Sequence, residues 1–287
     1  MTNIKEALSL SARRIKEGGG STPALDAAVL TGFVTGYSRA GIYRNWQRAL
    51  TPDEEKRLDN LVARRAAGEP VAYLTGRKEF MGLEFEVNPA VLIPRPETEL
   101  LVETAISLSN ADGGIVVDVG TGSGAIAVSL AVNLRRARVF ATDISARALR
   151  LARENALRHG VGQRIIFRQG DLLAPLAEDQ LVGQVDLIAA NLPYIATHEL
   201  KDLPREVRQF EPLTALEGGA DGLDMYRRLI PEAAHWLKPG GYLLLEIGCR
   251  QQKGMVALLR PHDWAVSFKQ DLAGLDRLAV AVKSEGA

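Results

Sequence analysis

Four consecutive residues, Asn191-Leu192-Pro193-Tyr194, put a carboxamide, a stiffened backbone and an aromatic ring directly after a short apolar run, Val185-Asp186-Leu187-Ile188. The run reads as a buried strand. In open α/β sheets, ligands bind at the carboxyl ends of the strands. Asn offers one acceptor and two donors. Pro193 fixes its own φ and biases Leu192 toward an extended backbone. The Asn191 side-chain oxygen and the Leu192 carbonyl can then both accept from one NH₂ group, with Tyr194 flat against the group that carries it. The chemistry expected is edge-on capture of a planar amide or amino group. Asn and Pro are also ordinary turn residues, so the reading depends on what surrounds them.

A second group of residues suits an adenosine-type cofactor. Gly120-Thr121-Gly122-Ser123-Gly124 follows the apolar run Ile115-Val116-Val117-Asp118-Val119 and precedes a helical stretch. Such a loop lets the backbone approach a ligand at a helix N-terminus. Its spacing is G-x-G-x-G, not the G-x-G-x-x-G of dinucleotide-binding dehydrogenases. Asp143 stands at the tip of the next strand, where a carboxylate can accept from both hydroxyls of a ribose. Asp171, at the tip of the third strand, is placed to meet an adenine edge. Asp118 lies inside a buried strand, a costly place for a carboxylate without a purpose. No His, Cys or Lys stands in a spacing that would support redox or nucleophilic chemistry.

These residues require a frame. The 287-residue chain is 46% apolar and 24% charged, ordinary for a globular protein with one large domain or a large and a small one. Its net charge of zero gives no global electrostatic case for nucleic-acid binding. One cysteine, Cys249, excludes an internal disulfide and a multi-Cys zinc site. No stretch has the length or apolarity of a membrane span or signal-peptide core, so the expected location is cytoplasmic.

Residues 1–69 read as a small helical domain. Ile4, Ala7, Leu8 and Ile15 share one face of a first helix. Ser21-Thr22-Pro23 opens a second, and the capping box Thr51-Pro52-Asp53-Glu54 opens another. Residues 70–92 read as a β-hairpin linker, with Val71–Leu74 and Leu83–Val87 as its strands. Residues 93–287 then alternate strands and helices, which argues for a parallel sheet covered on both faces. Lys238-Pro239-Gly240-Gly241 reads as a stop before a strand from Tyr242 to Ile247. The final strands, Trp264–Lys269 and Leu278–Val282, read as an antiparallel pair at the sheet edge.

Together the motifs resemble class I S-adenosylmethionine-dependent methyltransferases that act on amide or amino nitrogens. More narrowly, the chain resembles the release-factor glutamine N5-methyltransferases, the PrmC or HemK family. The narrower likeness rests on Tyr73-Leu74-Thr75-Gly76, Glu79-Phe80-Met81-Gly82-Leu83, Ile93-Pro94-Arg95-Pro96-Glu97-Thr98-Glu99, Gly218-Gly219-Ala220-Asp221-Gly222-Leu223 and Asp271-Leu272-Ala273-Gly274. It implies a Rossmann-like catalytic sheet of seven strands and a helical N-terminal domain that engages class I release factors. It also implies S-adenosylmethionine as methyl donor, S-adenosylhomocysteine as product, and the glutamine of a Gly-Gly-Gln tripeptide as target. The family's usual motif is Asn-Pro-Pro-Tyr. Asn-Leu-Pro-Tyr is more typical of ribosomal-RNA adenine N6-methyltransferases, which supplies the alternative substrate class, an adenine of RNA or DNA. Leu192 still provides the backbone carbonyl that the capture needs. Neither a membrane nor direct nucleic-acid contact is expected.

The residues expected at the cofactor are Asp118, Gly120, Thr121, Gly122, Gly124, Asp143, Asp171 and Asn191. Those expected at the substrate are Arg95, Glu97, Asn191, Pro193 and Tyr194, with Asn191 to Tyr194 as the catalytic group. An amide nitrogen is a poor nucleophile, and holding both its N–H bonds turns its lone pair toward the methyl donor. No general base is evident.

Overall fold

In the computed structural model, which describes residues 2–109 and 113–284, Asn3 opens the first helix with a capping box. Helix α1 (Ile4–Glu17) buries Ile4, Ala7, Ser11 and Ile15, the i, i+3, i+7, i+11 face of its sequence. Pro23 starts α2 (Pro23–Thr35), which Gly36 ends in a left-handed conformation. The Thr22 hydroxyl does not cap this helix but donates to Asp26 Oδ1 at 2.8 Å. Helix α3 (Arg39–Arg44) is short, and α4 (Pro52–Ala66) begins at the Thr51–Glu54 capping box. Val71–Leu74, expected as a strand, lies instead in a short helix, α5 (Val71–Thr75). Pro70 precedes it, and Gly76 at φ +71° closes it, so flanking caps overrule a four-residue apolar run.

These helices form one compact unit, which extends to Arg77 and takes in Leu203–Glu211 from far downstream. Arg65 sits at its buried centre. Its Nε donates to Asp26 Oδ2 at 2.7 Å, and its Nη1 pairs with Glu206 Oε2 at 2.6 Å. A buried guanidinium is tolerated when acceptors surround it in this way.

The second unit comprises Lys78–Asp202 and Pro212–Ala287. It opens with the hairpin of β1 (Arg77–Phe80) and β2 (Leu83–Glu86). A 3₁₀ turn at Pro96–Thr98 leads into α6 (Glu99–Leu108). Then follow β3 (Gly114–Val119), α7 (Ala125–Asn133), β4 (Ala137–Asp143), α8 (Ala146–Arg158), β5 (Ile165–Gln169) and β6 (Val185–Ala190). Helix α9 (Arg205–Phe210) lies within the excursion to the helical unit. Helix α10 (Asp224–Trp236), β7 (Leu237–Glu246), α11 (Gln252–Leu259), β8 (Trp264–Gln270) and β9 (Asp276–Lys283) complete the chain. The sheet order is β5-β4-β3-β6-β7-β9-β8. Strands β3 to β7 pair in parallel, and β9 runs antiparallel to both β7 and β8.

Successive residues of a strand face opposite sides of a sheet, and both sides here are covered. Val117, Ile188 and Leu243 pack with Tyr226, Leu229 and Ile230 of α10. Val116, Leu187 and Leu244 pack with the apolar residues of α6 and α7. The expected stop at Lys238–Gly241 is part of β7. The strand passes through it with a shift of register, Val185 opposing Leu237 but Leu187 opposing Tyr242.

Candidate active site

A cavity of about 530 Å³ opens at the carboxyl ends of β3, β4, β5 and β6. The glycine loop forms its floor. Gly120 has φ +76°, and a Cβ there would lie 3.0 Å from Leu192 Cδ2. Only glycine lets the two ligand-facing loops close on each other at that point. Leu192 thus contributes a buried side chain as well as the expected carbonyl.

Asp118 does not line this cavity. Its carboxylate is fully buried and supports the loop from beneath, accepting Thr121 Oγ1 at 2.6 Å and the Ala127 amide at 3.0 Å. Gly124, at the N-cap of α7, has no side chain to hold the helix's free amides, so Asp118 does so from inside β3. Burial, reinforced by the charge of Asp143, pushes the Asp118 carboxyl up to about 7. The sequence reading of Asp118 as a cofactor contact is corrected to a brace. Gly124 is likewise off the cavity wall, because its Cα faces Ala152 of α8. Asn155 of α8 holds the same loop, donating to the Ser123 carbonyl at 2.9 Å.

Gly120, Thr121, Gly122, Asp143 and Asp171 do line the cavity. Asp143 Oδ2 accepts the Gly122 amide at 2.9 Å, and Oδ1 accepts the Ser145 amide at 2.8 Å. Each oxygen keeps a lone pair for a further donor. Burial raises the Asp143 pKa against these two bonds. Asp171 sits on the rim, paired with Arg228. Ile144, Leu172, Leu92 and Pro94 supply apolar wall. A carboxylate, a glycine loop without side chains in the way at Gly120 and Gly122, and flanking apolar faces together fit an adenosyl group with its ribose.

Asn191, Leu192, Pro193 and Arg95 also line the cavity. Asn191 Nδ2 donates to Thr98 Oγ1 at 3.1 Å, so its oxygen is the atom left to accept. Tyr194 does not line the cavity. Its ring packs against the core on the α10 side of the sheet, and its hydroxyl reaches Glu246 Oε1 at 3.4 Å. The expected stacking of Tyr194 on a target amide therefore has no counterpart at the cavity wall. Glu97 is exposed and also lies off the wall. The Gly218–Leu223 motif braces this loop from outside: Gly218 donates to the Ile195 carbonyl at 2.8 Å, and a Cβ on Gly218 would lie 2.6 Å from the Pro193 oxygen.

Thr98 and Glu246 are site-adjacent residues that the sequence reading did not assign. Thr98 lies in the Arg95 loop already singled out, and Glu246 ends β7 as an acid after three leucines. Only tertiary contact connects them to Asn191.

A family model described as a methyltransferase domain matches residues 110–270. A solved methyltransferase from Pyrococcus furiosus shares the fold, with a TM-score of 0.53 at 18% identity over 82% of this chain and 100% of that one. The chain is an S-adenosylmethionine-dependent methyltransferase. The family model for the PrmC N-terminal domain matches residues 6–76. A release factor glutamine methyltransferase from Moorella thermoacetica is 46% identical, over 98% of this chain and 99% of its own. One from Geobacter sulfurreducens is 40% identical, over 96% and 95%. The chain belongs to the release factor glutamine methyltransferases. That membership favours glutamine over the adenine alternative.

Proposed function

We propose that the chain methylates the side-chain nitrogen (N5) of the glutamine in the Gly-Gly-Gln tripeptide of class I release factors, in the cytoplasm. The observation that carries the mechanism is the Asn191–Thr98 hydrogen bond, which turns Asn191 Oδ1 outward as an acceptor beside the Leu192 carbonyl. Two acceptors at one strand tip take both N–H bonds of a primary amide and leave its lone pair pointing away from them. S-adenosylmethionine, when bound, supplies the electrophilic methyl group. Asp143 and the Gly120–Gly122 loop, which line the cavity, would hold its ribose. Pro193 and the buried Leu192 side chain stiffen the acceptor pair, so that little reorganisation is needed as charge builds on the amide.

The helical unit is proposed to engage the body of the release factor. Leu25, Val29 and Phe33 stand at i, i+4 and i+8 on α2 and are all exposed. One face of a helix left apolar in this way suits a protein partner. No helix among the described residues is long and apolar enough to cross a membrane. The decisive experiment is transfer of labelled methyl from S-adenosylmethionine to a purified release factor and, in parallel, to unmethylated ribosomal RNA. Label in the Gly-Gly-Gln peptide is expected. Label in RNA alone would overturn the proposal.

A further inference from the structure

The Asp271-Leu272-Ala273-Gly274 motif does not line the cavity. It turns the chain between β8 and β9, and one side chain fixes the turn. Asp271 Oδ1 accepts the amides of Ala273 at 2.9 Å and Leu275 at 3.0 Å, and Oδ2 accepts Arg277 Nε at 2.9 Å. The main chain adds two bonds, from the Asp271 amide to the Leu275 carbonyl and from the Gly274 amide to the Asp271 carbonyl, both at 2.9 Å. Gly274, at φ +74°, takes the left-handed conformation that closes such a hairpin loop. On this fixed turn Leu272 is fully exposed, and Leu275 is exposed beside it. Turn positions ordinarily go to glycine or polar residues. A lone exposed leucine is common on protein surfaces, but here the backbone that carries it is held so that it cannot fold the side chain away.

The register places this turn at the end of the sheet where the cavity opens. Ala190 of β6 opposes Leu245 of β7, and Glu246 opposes Leu278 of β9. Asn191, which follows Ala190, is therefore level with Leu278. The turn begins beyond Asp276, two residues further out, so it projects past that level by roughly 7 Å. Strand β9 lies two strands from β6, roughly 10 Å away at the usual strand spacing. Leu213, exposed on the cavity wall, adds another apolar side chain at the mouth. A folded domain of about 100 residues has a radius of gyration of about 13 Å. Such a domain, with a surface glutamine set against Asn191, spans the distance to the turn.

We propose that the β8–β9 turn is a contact surface for the release factor, with Leu272 as an apolar peg seated in an apolar depression of the folded domain that carries the target glutamine. The proposal rests on the glutamine reading above and extends it: the enzyme reads the folded surface around the tripeptide as well as the tripeptide itself. The release factor is the occupant because the neighbouring cavity must admit its glutamine. Since Asp271 orders the backbone in advance, little conformational freedom is lost when Leu272 is buried. The peg contributes to holding the substrate and takes no part in methyl transfer, so its loss acts on KM and leaves kcat alone.

The test is steady-state methylation of an intact release factor by the full chain, with thermal unfolding and S-adenosylmethionine titration as controls. Leu272→Asp should raise KM for the factor roughly 10- to 100-fold, the worth of one buried leucine side chain. It should leave kcat within a few-fold and both controls unchanged. Leu272→Met keeps an apolar side chain of similar volume and should hold KM within a few-fold of wild type. In a second measurement, Leu272→Cys in a Cys249→Ser background carries a photo-crosslinker on its thiol. It should attach to the release factor, within the domain that bears the Gly-Gly-Gln tripeptide. A wild-type KM in Leu272→Asp, or a loss confined to kcat, overturns the proposal. A crosslink that forms only to a second copy of this chain, or to a distant domain of the factor, overturns it too. A wild-type enzyme that leaves the release factor unlabelled refutes the substrate reading instead, and the crosslink then decides by itself whether the turn meets the factor.

Discussion

Asp143→Asn changes the cofactor cradle with almost no change of volume, removing one acceptor and adding one donor pair. In the wild type, Oδ2 is occupied by the Gly122 amide at 2.9 Å and Oδ1 by the Ser145 amide at 2.8 Å. A carboxamide has a single acceptor oxygen. Whichever way it turns, its NH₂ meets one of those two backbone N–H groups, donor against donor. The loop must shift, and the ribose loses at least one acceptor and the charge behind both. A hydrogen bond to a charged group contributes about 1.5–3 kcal/mol, so losing two weakens binding by roughly 3–6 kcal/mol, or roughly 10²–10⁴ in Kd. The conservative change should thus be nearly as damaging as Asp143→Ala. Burial already disfavours the Asp143 charge, so the cofactor-free variants should not unfold more readily than the wild type for loss of that charge alone. Calorimetric titration with S-adenosylmethionine, with thermal unfolding of the cofactor-free proteins as control, is the assay. Wild-type affinity in Asp143→Asn would refute the two-oxygen cradle.

Three further outcomes are expected. Asn191→Ala should lower single-turnover rate by roughly 10²–10³, as loss of one preorganised polar contact does, with cofactor affinity little changed; Leu192→Pro keeps the carbonyl and should stay within a few-fold in rate, and the reverse ordering would show that the amide is not held as described. Asp26→Ala removes one of the two carboxylates on the buried Arg65 guanidinium, leaving Glu206, and should destabilise the helical unit by about 1.5–3 kcal/mol, the size of a hydrogen bond to a charged group, read by denaturant unfolding; a change under about 1 kcal/mol, the size of an exposed pair, would contradict the burial of that pair. Asp118 is raised to about 7 by burial, so the folded state holds a proton that the unfolded chain has already released; its stabilising contribution is complete below the unfolded value near 4 and is lost as pH rises through 7. Melting temperatures of cofactor-free Asp118→Asn relative to wild type should therefore climb between pH 5 and pH 8, and a pH-independent difference would refute the assignment.

The sheet was legible because parallel strands covered on both faces read as continuous apolar runs. Ile115–Val119 and Val185–Ile188 needed no context, and the Asn191 loop followed from where the second run ends. Short segments were less legible. Val71–Leu74 has too few residues to separate strand from helix by period, and Pro70 and Gly76 settled it. Lys238–Gly241 carries the composition of a stop, yet β7 runs on because Val185 offers it a partner. Helix α11 contains Gly254 and has only Met255 and Leu259 buried, a weak pattern to find in isolation. At the site, Gly120, Thr121, Gly122 and Asn191, singled out by residue type, do line the cavity, while Gly124 does not. Residue type could not separate a cavity contact from a brace, since that depends on direction, as for Asp118. Thr98 lies 93 positions from Asn191 and Tyr194 lies 52 from Glu246, separations that no local pattern spans.

The return of Leu203–Glu211 to the helical unit has a consequence for synthesis. A protein emerges from the ribosome from its N-terminus, and domains generally fold as they are released, at about 5–20 residues per second. The helices before Arg77 are made first, but Glu206, the second carboxylate of Arg65, is not made until most of the catalytic sheet has been translated. At those rates the interval is roughly 7 to 30 s. During it Arg65 has Asp26 but not Glu206, and the apolar helices wait for their last segment. The unit made first is therefore among the last to be finished, and a nascent chain stalled before residue 203 should show it protease-sensitive while one released past residue 211 should not.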